Sequence, residues 1–180
     1  MVRLFTALEL PEIAKDRLMA TMGGLKNVRW QTRDQLHITL RFIGDVENGT
    51  ADEITAALKA IRFDPIKVKI TGVDFFGKSK KPRQAWAGIE NGEPLKKLNK
   101  KISQAIEAAG IPKEERKYTP HITLARFKGK PGSKLETFLD HNGGLLIPPF
   151  EATGFVLFQS HLGQEGAHYE VIEHYPPSIG

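Results

Sequence analysis

Leu36-His37-Ile38-Thr39-Leu40 and Pro120-His121-Ile122-Thr123-Leu124 are two versions of one pentapeptide, set 84 residues apart. Two further echoes accompany them in the same order. Thr71-Gly72-Val73-Asp74-Phe75-Phe76 returns as Thr153-Gly154-Phe155-Val156-Leu157-Phe158 at an offset of 82, and Phe5-Thr6-Ala7-Leu8-Glu9 returns more loosely in Ala85-Trp86-Ala87-Gly88-Ile89-Glu90. Two copies are too few for a solenoid, which needs several stacked units. They predict instead two related lobes facing each other across a pseudo-twofold axis.

Local patterns follow the repeat. Residues 3–9 alternate weakly and read as a strand; Pro11 suits the opening turn of a helix that Gly23-Gly24 would end. Thr50-Ala51-Asp52-Glu53 reads as a capping box, followed by Ile54, Ala57, Leu58 and Ile61 on one helical face. Residues 66–76 alternate through Val68 and Ile70 as a strand. Pro94 opens a second-half helix with Leu95, Leu98, Ile102 and Ile106 on one side, closed by Gly110 and Pro112. Ser133-Lys134-Leu135-Glu136 reads as another capping box, ahead of a short helix ending at Asn142-Gly143-Gly144. Residues 155–160 and 169–175 read as a terminal hairpin. The predicted fold is α+β: two pseudo-symmetric lobes, roughly 1–81 and 82–180 of a single domain. Each is a mostly antiparallel sheet with helices on its outer face, the two enclose a central cleft, and strands can be exchanged between them.

Side chains alternate across a strand. Leu36, Ile38, Leu40 and Phe42 are therefore expected toward the core, and His37, Thr39 and Arg41 on the opposite face. Ile122 and Leu124 take the core face of the second motif, leaving His121 and Thr123 together. If the lobes face each other, two imidazoles and two hydroxyls meet in one cleft. Histidine titrates near neutrality, so one ring can accept a proton while the other gives one. Threonine hydroxyls are compact donors for phosphate oxygens. The set suits acid–base phosphodiester chemistry with water or a sugar hydroxyl as nucleophile. The other histidines, His141, His161, His168 and His174, have no partner motif and read as surface or structural residues; the last three match no metal-ligand spacing.

The 180 residues contain no cysteine, which excludes disulfide scaffolds, thiolate metal sites and cysteine nucleophiles and is compatible with a cytoplasmic setting. No stretch has the length and apolarity of a membrane span, and the first ten residues read as part of the mature fold rather than as a signal peptide. The formal charge is +5, from 26 Lys and Arg against 21 Asp and Glu. That balance suits an anionic partner such as nucleic acid, and equally a soluble protein that is merely basic. Basic residues gather at 78–83 and 113–117, both read as solvated loops able to hold phosphates.

The paired tetrads His37-Ile38-Thr39-Leu40 and His121-Ile122-Thr123-Leu124 resemble those of the two-histidine phosphoesterases, and within them the RNA 2′,3′-cyclic phosphodiesterases, also called 2′-5′ RNA ligases. The likeness runs nearly end to end, through Leu40-Arg41-Phe42-Ile43-Gly44, Ala125-Arg126-Phe127 and Leu157-Phe158-Gln159-Ser160. It implies metal-independent hydrolysis of a terminal 2′,3′-cyclic phosphate on RNA to a 2′-phosphate, with a weak reverse ligase activity and no cofactor. It implies His37 as acid, His121 as base, Thr39 and Thr123 on the phosphate, and Arg126 as a further phosphate contact. Strict alternation puts Arg126 on the core face, so that role requires the strand to kink near Ala125. Arg41 is placed on the cleft face by period alone. The expected partners are RNA ends or nucleotides bearing a cyclic phosphate, for a monomer that does not enter membranes. Phe42, Phe76, Trp30 and Tyr118 are candidate base-stacking residues, each equally at home in a core. Two rival readings are a non-catalytic phosphate-binding module and an ATP-dependent ligase; the latter lacks a Lys-x-Asp-Gly motif and a Gly-rich phosphate loop.

Overall fold

Alternation in 66–76 and heptad-like spacing in 95–106 become a strand and a helix because each gives one apolar face to bury. The computed structural model describes residues 1–78 and 80–176. Its strands are β1 (Val2–Leu8), β2 (Val28–Trp30), β3 (Ile38–Val46), β4 (Ile66–Lys78), β5 (Lys81–Glu90), β6 (His121–Phe127), β7 (Phe150–Ala152), β8 (Phe155–Gly163) and β9 (Gly166–Tyr175). Its helices are α1 (Glu12–Met19), α2 (Asn48–Leu58), α3 (Glu93–Ala108) and α4 (Leu135–Asn142), with a 3-10 turn at Arg33–Gln35. The fold is α+β, as the patterns predict.

The strands form a four-stranded sheet ordered β3-β1-β8-β9 and a five-stranded sheet ordered β2-β6-β5-β4-β7, with antiparallel pairing throughout the described ladders. The three sequence echoes are three structural equivalences. Motif strands β3 and β6 correspond, each flanked by β1 or β5, and then by β8 or β4. The last echo crosses over: β4, from the first repeat, completes the second sheet, and β8, from the second repeat, completes the first. A boundary at residue 81 would therefore cut the β4–β5 hairpin, whose strands pair from Lys69–Glu90 to Lys78–Lys81.

One core joins the helices to the buried faces of both motif strands. It contains Ala14 and Leu18 of α1, Ile54 and Leu58 of α2, the α3 stripe Leu95, Leu98, Ile102 and Ile106, and Ile38, Leu40, Ile122 and Leu124. Burying one such aliphatic side chain is worth about 1.5–3 kcal/mol. That holds the alternate residues, His37, Thr39, His121 and Thr123, toward the opposite side.

Two expected helix starts are displaced. α2 begins at Asn48 with Glu47 as its N-cap, so Thr50 lies inside the first turn; α4 begins after Lys134, so Ser133 lies outside it. At α4 the pattern still leaves Glu136 in the first turn, where it favours the helix N-terminus, whereas at α2 the earlier start carries Asp52 and Glu53 beyond the first turn. The basic stretch read as a loop at 78–83 is mostly the end of a hairpin, with Lys78 in β4 and Lys81, Pro82 and Arg83 in β5; Ser79 lies outside the described residues. Residues 113–117 are irregular, as expected.

The repeated Thr-Gly has a steric cause. A Cβ at Gly72 would sit 2.6 Å from the Gly143 carbonyl oxygen, and one at Gly154 would sit 2.6 Å from that of Tyr175. Each crossing leaves no room for a methyl group. Gly72→Ala and Gly154→Ala are expected to lower stability by about 1–3 kcal/mol each. Gly144→Ala, where a Cβ meets nothing within 4 Å, should leave the thermal unfolding midpoint nearly unchanged. Thermal denaturation of the three variants checks this.

Candidate active site

Both motif histidines are fixed in the same way. The Nδ1–H of His37 donates to the Gln35 carbonyl at 2.7 Å, and the Nδ1–H of His121 donates to the Thr119 carbonyl at 2.7 Å. A carbonyl only accepts, so each ring carries a proton on Nδ1 and presents Nε2. The Nε2 of His37 lies 2.8 Å from the Thr39 hydroxyl, two residues along the same face. Thr123 holds the matching place beside His121, half-buried between the buried Ile122 and Leu124.

A β-bulge follows each tetrad. In the β1–β3 ladder Ala7 pairs with Thr39 but Thr6 pairs with Arg41, which skips Leu40. In the β5–β6 ladder Trp86 pairs with Thr123 but Ala85 pairs with Ala125, which skips Leu124. An extra residue reverses the alternation beyond it. Arg126 is thereby exposed and borders the same cleft as His121, while Ala125 is buried. This is the kink that its expected role requires.

The first bulge corrects two expectations. Phe42 does not enter the core; it is 48% exposed and borders the cleft at the position equivalent to Arg126. Arg41 exchanges faces with it and is only 5% exposed. Its guanidinium still borders the cleft but donates to the carbonyls of Pro112, at 3.0 Å, and Phe42, at 3.3 Å, and lies 3.8 Å from Glu114. It ties the 111–120 segment to β3 more than it offers free donors.

The cleft has a volume of about 800 Å³. Thr39 from one sheet and His121 and Arg126 from the other line it together, with Phe42, Phe76 and Gln84. Arg83, Lys100, Lys113, Arg116 and Lys117 add positive charge to the same walls, so both basic stretches noted in the sequence reach it. Tyr118 crosses from one lobe to the other, its hydroxyl donating to the Thr39 carbonyl at 2.7 Å. That contact makes it a structural strut rather than a stacking surface.

Each imidazole sits among aromatic rings. His37 is 5.0 Å from Phe5 and 5.4 Å, edge-on, from Tyr169; His121 is 4.9 Å, edge-on, from Phe76 and 6.0 Å from Trp86. Burial is the main cause that lowers both pKa values, His37 to about 4. The charges of His121 and Arg126 lower His37 further, and Arg126 lowers His121. The influence of His121 and Arg126 on His37 places these groups in one neighbourhood.

Gln84 carries no motif and was not foreseen. Its amide links the imidazole and the guanidinium of β6, accepting from Arg126 Nη1 at 3.3 Å and donating to His121 Nε2 at 3.1 Å. Register across β5–β6 is what brings it there, and only the echo between β1 and β5 could have suggested the position. His161 pairs with Glu170 at 2.8 Å, and among the described residues no three His, Asp or Glu side chains are grouped to hold a metal ion.

A family model described as the 2′-5′ RNA ligase superfamily matches residues 12–161. The chain belongs to that superfamily. An RNA 2′,3′-cyclic phosphodiesterase of Methanocaldococcus jannaschii is 34% identical, the match covering 96% of this chain and 99% of that protein. One from Aeropyrum pernix is 31% identical over 77% of this chain and 80% of its own length. Among solved structures, a protein of Thermus thermophilus known as TT0787 superposes with a TM-score of 0.78 at 26% identity, covering 96% of each chain. The Escherichia coli LigT complex with 3′-AMP gives 0.77 at 22% identity and the same coverage, a likeness of fold.

A proton-linkage prediction follows from the charges around His37. An anion bound between the two histidines would offset the cations that help to hold His37 low. Free His37 is expected to stay neutral until well below pH 6, titrating near 4, and its pKa should rise when inorganic phosphate or a nucleotide 2′-phosphate binds. Binding then takes up a proton, so affinity should increase as pH falls through the raised pKa and level off near the free value. Imidazole NMR titration with and without phosphate measures both.

Proposed function

We propose that this protein is an RNA 2′,3′-cyclic phosphodiesterase that opens a terminal cyclic phosphate to a 2′-phosphomonoester, with His37 as acid and His121 as base. The observation that supports it best is the common neighbourhood of the two rings: each is anchored through Nδ1, His121, Thr39 and Arg126 line one cleft, and His37, whose Nε2 reaches the Thr39 hydroxyl behind that wall, feels the charges of His121 and Arg126. The superfamily and the names of its relatives point the same way.

In the reaction, His121 Nε2 takes a proton from water as the water oxygen attacks phosphorus. The phosphorus–O3′ bond breaks, and protonated His37 gives its Nε2 proton to the departing O3′. The product carries a 2′-phosphate and a 3′-hydroxyl. A 5′-hydroxyl in the place of water gives a 2′-5′ linkage, and reversal of that step opens it. Each positioned proton transfer contributes about 10²–10⁴ in rate. Thr39, Thr123 and Arg126 donate to the non-bridging oxygens, where charge grows in the transition state. Low pKa values suit a base near pH 7; the acid gains its proton through the anion it binds. No step requires a metal or cofactor.

Phe42, presented by its bulge on the wall opposite Arg126's own strand, offers a flat face to the terminal base. The cationic rim suits the phosphates of the preceding nucleotides. We place the protein in the cytoplasm as a monomer; no helix among the described residues is long and apolar enough to cross a membrane.

Incubation with RNA ending in a 2′,3′-cyclic phosphate is expected to yield the 2′-phosphate, unaffected by EDTA. His37→Ala and His121→Ala should each lower kcat by at least about 10²-fold while far-UV circular dichroism is retained. A 3′-phosphate product would reject the two roles, and binding without turnover in the unaltered protein would favour a phosphate-binding module. Phe42→Ala should raise KM more than it lowers kcat; an unchanged KM would remove Phe42 from the base site.

A further inference from the structure

The two tetrads are equivalent in sequence, so something outside them must distinguish acid from base. We propose that Gln84 is the positioning residue that makes His121 the base, an inference that rests on the paired-histidine reading above.

The asymmetry lies in the strands beside the motifs. Gln84 pairs with Arg126 across β5–β6 as Phe5 pairs with Phe42 across β1–β3. One histidine therefore has an amide where the other has a phenyl ring. The amide's orientation is dictated by chemistry. Arginine only donates, so the Gln84 carbonyl must face Arg126, at 3.3 Å, and its NH₂ must face His121 Nε2, at 3.1 Å. An NH₂ group also only donates, so it needs a lone pair on Nε2. A proton there would set two donors against each other. The Thr119 carbonyl holds the proton on Nδ1 at the other side. Together these contacts select a neutral His121 with Nε2 able to accept.

His37 has no such constraint. Its Nε2 partner is the Thr39 hydroxyl, which accepts as readily as it donates, so this ring can hold a second proton. Phe5, 5.0 Å away, offers no donor. The surrounding charges act on both rings. Arg126, on the strand of His121, lowers the pKa of both, and His37, one residue before β3, also feels His121. Arg83 and Lys100 reach the cleft from β5 and α3, so the contacts at Nε2 are what distinguish the histidines. The two carboxylates on the cleft walls are Glu107 and Glu114, and Glu114 is engaged by Arg116 at 3.2 Å. When substrate engages Arg126, a water donating to Nε2 takes the place of the Gln84 N–H, and its proton passes to a ring already prepared to receive it.

Two variants test this. Gln84→Glu replaces the donor with an acceptor and a negative charge, which should raise the pKa of His121 by about one to two units. Gln84→Leu removes the donor alone and should raise it less. The acid limb of the kcat/KM profile should move up with the pKa. At pH below both pKa values the Gln84→Glu variant should lose about ten- to a hundredfold in kcat/KM, a decade for each unit by which the pKa rises, and the ratio to the unaltered protein should recover as pH rises. Imidazole ¹⁵N–¹H correlation spectra of the free proteins should show His121 shifted and His37 little changed. Coincident His121 titrations in all three proteins, or a loss of activity that is equal at every pH, would overturn the assignment. The spectra need no substrate, so they report on Gln84 even if hydrolysis of cyclic phosphates is not found.

Discussion

The extra residue directly after each motif threonine determines which side chains reach the cleft. Leu40 in β3 and Leu124 in β6 stay buried in the common core while the backbone beyond them steps out of alternation. The histidine and threonine before each bulge then share a face with the residue three positions past the threonine, Phe42 in one lobe and Arg126 in the other. Without the bulges both would point into the apolar interior, where an arginine would be costly to bury. The core itself enforces the arrangement, because slipping either strand by one residue would expose Ile38 and Leu40, or Ile122 and Leu124.

The cleft that results is symmetric in scaffold and asymmetric in chemistry. Both imidazoles are anchored through Nδ1 to the carbonyl two residues earlier, and both lie against aromatic rings. The neighbours differ. The Phe5 and Tyr169 rings and the Thr39 hydroxyl surround His37; an amide and a guanidinium attend His121. Duplication provides two imidazoles at matched positions, and divergence of the flanking strands gives their Nε2 atoms different partners.

Much of this was legible in the sequence. The tetrads, the echoes and their common order pointed to the α+β class with its two antiparallel sheets and singled out the histidines and threonines as candidate site residues, because alternation over four or five residues is a strong local signal. The bulges were not legible, since no residue in Leu40-Arg41-Phe42 or Leu124-Ala125-Arg126 is a glycine or otherwise marks an extra position. Simple alternation therefore sent Phe42 inward and Arg41 outward, the reverse of what is found. Gln84 was invisible for a different reason: its role depends on strand register, which only pairing reveals. The capping-box pattern misplaced two helix starts, α2 beginning ahead of Thr50 and α4 just after Lys134.

The crossing of β4 and β8 between the sheets bears on how the chain can be made. β1 lies between β3, available early in synthesis, and β8, which leaves the ribosome only near the end. Until then the first sheet stops at β1, with a bare edge and with Phe5 lacking the stacked ring of Phe158 at 5.2 Å. The nascent first repeat also holds β4, a long strand whose partners β5 and β7 have yet to appear. Neither half is therefore a self-sufficient folding unit, and the protein should gain its native structure in a single late cooperative step, leaving the unfinished chain dependent on rapid completion or on chaperones to avoid edge-to-edge association.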